Sequence, residues 1–328
     1  MNRNIVILHP GALGDVLLAV PAMRKLAVRF SGHTIVLIAR APVSRLLVEC
    51  RVIDEWISIE SQVCVGLFTR FGCPSMELQS RLERCDAAVA WAEDADGSLA
   101  NVLGEFGIPH VWIQSPFSSA LNARHQRDRF LETVGETGTD ALENDGLHIP
   151  DHLLEKGRFS LKERGISPDH SLVLVHPGSG SIHKCLGSEK LAGIVQQLQQ
   201  RGMSPVLLEG PADQDAAEGV LKLLSKKPPV LRDLDLSLLA GILAHAELYL
   251  GHDSGLTHLA ALLGVRTIAA FGPTDDLRWA PHGNQVAIVR GAPCVCPSWH
   301  AVKKCHEKPC LDLPIEEILT ALKLQTTM

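Results

Sequence analysis

Short runs of aliphatic and β-branched residues alternate with longer segments of helical period along most of this 328-residue chain. In the first half the predicted elements are, in order, strand 5–8, helix 15–28, strand 34–38, helix 43–50, strand 87–91 and helix 99–106. This alternation predicts a parallel sheet with helices on both faces, because parallel strands need long crossover connections. We therefore expect a doubly wound α/β fold.

The same alternation begins again after a charged helical segment, 151–165. The second series comprises predicted strands 172–175, 205–208, 248–251 and 267–271, and predicted helices 188–201, 216–224, 236–245, 255–263 and 314–324. The tripeptide His-Pro-Gly follows the first strand of both series, at His9 and at His176. Because one hydrophobic core rarely serves more than about 250–300 residues, we predict two Rossmann-like domains, 1–164 and 165–328.

Charge and hydropathy narrow the class of protein. The formal net charge is -6 and no basic run is present, so a nucleic-acid partner is not expected. No apolar stretch approaches the roughly 18 residues of a membrane span, and the amino terminus lacks the length of a signal peptide. We expect a cytoplasmic protein whose nine cysteines are reduced thiols.

The first candidate site is the segment 11–15, between the first strand and the first helix. In open α/β sheets ligands bind at the carboxyl ends of the strands, and Gly11 and Gly14 allow close approach of the backbone. Asp15 has two interpretations: a catalytic carboxylate, or a helix cap that only accepts a backbone N–H. The segment is not Gly-x-Gly-x-x-Gly, which disfavours a dinucleotide site.

The second candidate site is the segment 176–184, again between a strand and a helix. Two glycines, the hydroxyls of Ser179 and Ser181 and the ammonium of Lys184 are groups that a phosphate cradle needs. The spacing is not that of a Walker motif. The alternative is an ordinary loop with a solvated lysine.

The third candidate site is the segment 251–258, where Asp253 or Ser254 caps a helix. The free N–H groups of Ser254, Gly255 and Leu256 would then form an anion site suited to a diphosphate. His258 lies one turn after Ser254 and could donate to a phosphate, or it could be a satisfied core histidine.

Two further groups of residues leave alternatives open. The strand end 209–213 carries carboxylates, including Asp213, that could hold ribose hydroxyls or merely belong to a solvated turn. A late loop contains Cys294, Cys296, Cys305 and Cys310. Because this loop lacks the paired Cys-x-x-Cys spacing of zinc knuckles, we expect free thiols there and neither a metal nor a cofactor.

Several of these segments resemble glycosyltransferase family 9, the ADP-heptose lipopolysaccharide heptosyltransferases. The resemblance rests on HPGALGDVLLAVPAMRKL (9–26), on 176–184, on 210–213, and above all on GHDSGLTHLAALLG (251–264) followed by FGPTDDLRWAPHG (271–283). It implies the GT-B architecture, in which two Rossmann-like doubly wound parallel-sheet domains face a central cleft. The family places the nucleotide-sugar on the C-terminal domain and the acceptor on the N-terminal one, with no required metal.

The resemblance also implies roles for individual residues. Asp15 matches the general base of the family, and Lys184 matches a lysine that contacts phosphate. The segment Asp253 to Leu256, with His258, matches the part that binds the diphosphate, and Asp213 falls where a ribose or adenine contact is expected.

The expected function is inverting transfer of a sugar, heptose by resemblance, from an ADP-sugar to a lipopolysaccharide-core or related glycan acceptor. A glycolipid acceptor would bring the enzyme into peripheral contact with the inner-membrane surface. Two alternatives are a nucleotide-sugar epimerase or hydrolase of the same fold, and a catalytically silent protein that only binds sugar nucleotides. A nicotinamide oxidoreductase is disfavoured by the missing glycine motif.

Overall fold

The computed structural model describes residues 3–69, 73–116, 124–136, 146–168 and 171–324. The chain divides into two compact units, Met1–Asp145 and Gly146–Met328. Each unit is built around one sheet whose described strands all pair in parallel. Within the described ranges, no helix has both the length and the apolar character needed to cross a bilayer.

The first unit contains a five-stranded sheet in the order β3-β2-β1-β4-β5. Its strands are β1 (Asn4–Leu8), β2 (Thr34–Ala39), β3 (Glu55–Ser58), β4 (Cys85–Ala90) and β5 (His110–Ile113). Its helices are α1 (Leu13–Leu18), α2 (Val20–Arg29), α3 (Ala41–Glu49), α4 (Met76–Leu82), α5 (Ser98–Glu105) and α6 (Gln126–Thr133). Every residue of β1 is buried, as expected for a central strand covered on both faces.

The predicted helix 15–28 is two helices, α1 and α2, that meet at Ala19. Pro21 lies in the first turn of α2. A proline has no N–H to donate and its ring clashes with the carbonyl of the preceding turn, so an uninterrupted helix cannot run through this position without strain. The break shortens α1 to six residues and leaves Asp15 near its start.

The second unit contains a six-stranded sheet in the order β11-β10-β9-β6-β7-β8. Its strands are β6 (Leu172–Val175), β7 (Ser204–Glu209), β8 (Val230–Arg232), β9 (Leu248–His252), β10 (Arg266–Phe271) and β11 (Val286–Arg290). Its helices are α7 (Asp151–Glu163), α8 (Ser188–Gln200), α9 (Gln214–Leu223), α10 (Leu236–Leu243), α11 (Gly255–Leu262), α12 (Asp276–Trp279), α13 (Trp299–Lys304) and α14 (Ile315–Leu324).

Both strand orders confirm the predicted doubly wound parallel sheets. In each unit the chain fills one side of its first strand and then crosses to the other side, so the strand order reverses between β1 and β4 and between β6 and β9. Such a reversal opens a crevice at the carboxyl ends of the strands, where α/β proteins bind ligands. The loops after these four strands are therefore the first places to look for a site.

The boundary between the compact units lies at residues 145 and 146, earlier than the predicted 164 and 165. Helix α7 accounts for the difference, because it packs against α10 of the second unit. The two helix backbones touch: a Cβ added to Gly157 would lie 2.4 Å from the carbonyl carbon of Gly241. The sequence pattern identified α7 as a helix but could not show which core it covers.

Candidate functional site

In the first unit, the loop after β1 surrounds a buried histidine. The His9 ring packs between Trp91, at the end of β4, and Phe130, with ring centroids 5.7 and 5.3 Å away. Burial lowers the pKa of His9 to about 4. The backbone N–H of Gly11 donates to Nδ1 of His9 at 3.2 Å, which fixes the turn that leads into α1.

The carboxylate of Asp15 lies at the start of α1, on the loop side. Its Oδ2 accepts a hydrogen bond from the backbone N–H of Ala12 at 3.0 Å. Ala12 is the N-cap residue and Asp15 stands three positions later, so Asp15 is not the N-cap residue itself, although its carboxylate accepts a backbone N–H at the helix start. Gly11 is required here, because a Cβ at that position would lie 2.8 Å from Cβ of Asp15. Gly14 lies beside Asp15 within α1.

In the second unit, the loop after β6 is tied to the loop after β9. The hydroxyl of Ser179 donates to the backbone carbonyl of Asp253 at 2.5 Å. Ser181 caps the short 3-10 turn Ile182–Lys184, where its hydroxyl accepts from the N–H of His183 at 3.3 Å. These contacts bring together the second and third segments that the sequence singled out.

Lys184 and Asp253 form an ion pair, with Nζ 2.6 Å from Oδ2. Both side chains are largely shielded, being 25% and 10% exposed, so their attraction is weakly screened. The ammonium also lies 5.7 Å from the centre of the Trp299 ring. The pair places the Lys184 ammonium beside the start of α11, with its charge balanced by the Asp253 carboxylate.

The start of α11 has the geometry of an anion site. Ser254 is the N-cap, and its hydroxyl accepts from the N–H of Thr257 at 3.4 Å. The N–H groups of Gly255 and Leu256 belong to the first turn, where no carbonyl of the helix can accept them, and they carry the positive end of the helix dipole. His258 is 6% exposed, so it belongs to the buried part of α11.

Asp213 and His176 form a buried pair. Nε2 of His176 lies 3.0 Å from Oδ2 of Asp213, and the N–H of Gly210 donates to the same oxygen at 3.1 Å. Burial raises the pKa of Asp213, but the hydrogen bond and charge of His176 outweigh it, so the net pKa is lowered. Nδ1 of His176 lies 3.4 Å from the hydroxyl of Ser254, which links the pair to α11.

His252, the last residue of β9, was not predicted as a site residue. The N–H of Leu186 donates to its Nε2 at 3.0 Å, and its Nδ1 lies 3.1 Å from the carbonyl of Gly178. Nε2 must therefore be unprotonated, while Nδ1–H donates to the carbonyl. Burial, followed by the nearby charge of His176, lowers the pKa of His252 to about 4. The neutral ring holds both ends of the loop after β6.

A cavity of about 290 Å³ lies beside the start of α11. The ends of β7 and β8 and the starts of α10 and α11 form its walls, which include Glu209, Leu231, Asp233 and Leu256. Its volume is near the lower end of the range for small-molecule pockets, about 300 Å³. Leu256, whose N–H belongs to this helix start, has a half-buried side chain that lines the cavity.

The cysteine loop contains free thiols, at Cys294, Cys296, Cys305 and Cys310. Burial, with the neighbouring thiols of Cys294 and Cys305, raises the pKa of Cys296 to about 11. In the part of the chain that the structure describes, no three His, Cys, Asp or Glu side chains are arranged to hold a metal ion.

The two doubly wound units have the fold of the GT-B glycosyltransferases. The chain belongs to glycosyltransferase family 9 (heptosyltransferase), whose profile matches residues 139–310. The family resemblance seen in the sequence is thereby confirmed.

Individual relatives support this assignment. Lipopolysaccharide heptosyltransferase 3 of Escherichia coli (strain K12) is 27% identical over 218 residues, which cover 64% of this chain and 62% of that protein. Among solved structures, a family 9 glycosyltransferase from Veillonella parvula has a TM-score of 0.80 and E. coli ADP-heptose lps heptosyltransferase II one of 0.76. Each structure is 18% identical and aligns over 99% of this chain and 98% of its own, so the likeness shows the fold.

Proposed function

We propose that this protein is an inverting glycosyltransferase that moves heptose from ADP-heptose to a lipopolysaccharide-core or related glycan acceptor. The observation that carries the proposal is the Lys184–Asp253 ion pair at the start of α11, in a chain of the heptosyltransferase family. The choice of ADP-heptose follows the resemblance, and one solved relative is itself described as an ADP-heptose enzyme.

In this proposal the second unit binds the donor. The N–H groups of Gly255 and Leu256 receive the diphosphate, and the Lys184 ammonium, which Asp253 positions, donates to it as well. The nucleoside enters the cavity of about 290 Å³, where the carboxylates of Glu209 and Asp233 can accept hydrogen bonds from ribose hydroxyls. Asp213 accepts from the N–H of Gly210, which lines this cavity, and through its bond to His176 it connects the loop after β7 with the loop after β6.

The first unit provides the base. Asp15 takes the proton from an acceptor hydroxyl while that oxygen attacks the anomeric carbon, opposite the departing diphosphate. One bond to the anomeric carbon forms as another breaks, so the configuration inverts. The diphosphate leaves without protonation, so no second carboxylic acid is needed, unlike in glycoside hydrolysis. Lys184 and the α11 dipole stabilise the growing negative charge.

No metal or cofactor enters this scheme, because protein groups neutralise the leaving diphosphate. We place the reaction in the cytoplasm. If the acceptor is a glycolipid, binding it would bring the enzyme into peripheral contact with the inner-membrane surface. The nucleotide-sugar is a substrate, and no nucleic acid takes part.

The decisive experiment incubates the protein with ADP-heptose, with and without a lipopolysaccharide-core acceptor. Release of ADP only with acceptor, together with a product of inverted anomeric configuration by NMR, is the expected result. ADP release without acceptor would identify a hydrolase, and an altered sugar without ADP release an epimerase. Donor binding with no turnover would identify a silent binding protein.

Substitution of the donor site gives a second test. Lys184→Ala, or a bulky residue at Gly255, should weaken ADP binding, because either change removes charge or space at the start of α11. Lys222→Ala is the matched control: Lys222 also pairs with a carboxylate, that of Glu218 at 2.8 Å, but on the surface of α9. Equal ADP affinity in Lys184→Ala and Lys222→Ala would contradict the assignment.

A further inference from the structure

Trp299 is an exposed aromatic residue beside the proposed diphosphate site. Its side chain is 40% exposed, and its ring centre lies 5.7 Å from Nζ of Lys184. It begins α13, which Ser298 caps by accepting from the N–H of Ala301 at 3.3 Å and which Val302 anchors by its burial. The ring position is therefore set by local structure.

A second contact fixes the segment that carries Trp299 against the loop that carries Lys184. Nζ of Lys308 donates to the carbonyl of Ile182 at 3.3 Å, and Ile182 begins the 3-10 turn that ends at Lys184. The segment that carries Trp299 thus lies beside the loop that carries Lys184.

The position of the nucleoside cavity determines which part of a donor could reach Trp299. The ends of β7 and β8 form that cavity, and Trp299 is not among the residues that line it. The Trp299 ring lies instead beside Lys184, in the loop after β6. A nucleotide-sugar whose nucleoside fills the cavity and whose diphosphate contacts Lys184 therefore has its sugar ring as the part left to reach Trp299.

The chemistry of the indole suits such a sugar. An exposed cation–π contact with Lys184 contributes only about 0.5–1 kcal/mol, and a large part of the indole remains uncovered. A pyranose ring presents C–H groups on its faces, which can cover an indole while the hydroxyls stay hydrated. We propose, on the basis of the proposed function, that Trp299 packs against the sugar ring of the bound nucleotide-sugar and makes the site selective for glycosylated over free nucleoside diphosphate.

Calorimetric titration with ADP and with ADP-heptose separates this role from an indirect one through Lys184. Trp299→Ala should weaken ADP-heptose binding about 3- to 10-fold, the size of a single aromatic contact, and should change ADP binding less than about twofold. Trp299→Phe, which keeps a ring, should retain most of the affinity for ADP-heptose. Trp299→Leu, which keeps apolar bulk without a ring, should behave like Trp299→Ala.

The matched control is Trp56→Ala. Trp56 also faces a cation, with the guanidinium of Arg45 5.5 Å from its ring centre, but it lies on β3 of the first unit. Its loss should leave both affinities unchanged. Steady-state kinetics should show a raised KM for ADP-heptose in Trp299→Ala, with kcat changed little.

Two outcomes would overturn the inference while leaving the proposed function intact. Equal weakening of ADP and ADP-heptose would mean that Trp299 acts only through Lys184, and unchanged binding of both would mean that it takes no part. If the parent protein bound neither ligand, the proposed function would fail and this inference with it. If Trp299→Ala did not fold, the affinities of Trp299→Phe and Trp299→Leu for ADP-heptose would be compared. Equal affinities in these two variants would overturn the inference.

Discussion

The carboxylate of Asp213 occupies the space that a side chain at Gly178 would need. An ideal Cβ at Gly178 would lie 1.7 Å from Oδ1 of Asp213, far inside van der Waals contact. The same carboxylate is fixed by His176 and by the N–H of Gly210. The turn after β6 and the buried pair are therefore possible together only with glycine at position 178.

Gly178→Ala is expected to lower stability by about 1–3 kcal/mol, the range for overpacking a filled site, because the carboxylate must leave His176 or the backbone must move. ADP affinity should fall with it, since the loop also carries Lys184. Gly180→Ala is the matched control: an added Cβ there meets nothing within 4 Å. Urea unfolding of both variants checks this, and equal stabilities would refute the steric argument.

Asp15→Asn tests whether this carboxylate is a base or only part of the helix start. Asparagine keeps an oxygen that can accept from the N–H of Ala12, so the change in melting temperature should be small. Transfer should nevertheless fall by about 10²- to 10⁴-fold, the usual contribution of a positioned base. Donor affinity should persist, because the proposed diphosphate site lies in the second unit.

Three measurements on Asp15→Asn decide whether Asp15 acts as the base: melting temperature, affinity for ADP-heptose and transfer rate. A protein that melts near the parent temperature, binds ADP-heptose and still transfers heptose at nearly the parent rate would remove Asp15 from the mechanism. Loss of folding would instead show that the bond to Ala12 matters more than its partly exposed position suggests.

His252 makes stability depend on pH. Its pKa is about 4 in the folded protein against an ordinary value of 6.5, so between these values the unfolded chain binds a proton that the folded one does not. Stability is then full above pH 6.5 and falls as the pH drops toward 4, by up to about 3 kcal/mol. Protonation of Nε2 would break its bond from the N–H of Leu186.

Denaturant unfolding between pH 7 and pH 4.5 checks this relation. His252→Gln, which cannot be protonated in this range, should show a shallower loss of stability than the parent on acidification. His300→Gln, at an exposed position on α13, should keep the parental profile. A His252→Gln profile parallel to the parent would mean that His252 does not titrate as stated.

The cysteine loop is predicted to hold no stoichiometric metal. Within the residues that the structure describes, no three His, Cys, Asp or Glu side chains are arranged to hold a metal ion. Protein purified without chelator should contain less than one zinc or iron per chain by elemental analysis, and EDTA should leave transfer unchanged. One full equivalent of metal would show this prediction to be wrong.

The inner strands of both sheets could be predicted from the sequence, whereas all four edge strands were missed. Strands β1 and β6, at the centres of their sheets, are fully buried. Burial on both faces produces continuous apolar runs, and these runs predict a strand from the sequence. The edge strand β8 has three residues and β5 begins with exposed His110. Because an edge strand is partly exposed, its sequence lacks the continuous apolar run by which a strand is predicted.

Some residues of the candidate site could also be predicted from the sequence, and others could not. Glycine turns and the α11 cap are local features, so the segments containing Ser179, Lys184 and Ser254 could be found from spacing. Trp299 and His252 could not, because each acts through a contact distant in sequence, with Lys184 and with Leu186. For Asp213 the sequence left a solvated turn and a ribose contact open; the long-range partner His176 and the burial of Asp213 exclude the solvated turn, and the ribose contact stays a prediction.

The touching backbones of Gly157 and Gly241 have a consequence for any attempt to divide the protein. A fragment that began at residue 165 would contain the whole second sheet but would lack α7. The face of α10 at Gly241, which α7 covers, would then be exposed to water. Helix α7 precedes the second sheet in the chain, yet it covers α10 on that unit and has to be kept in any fragment of it.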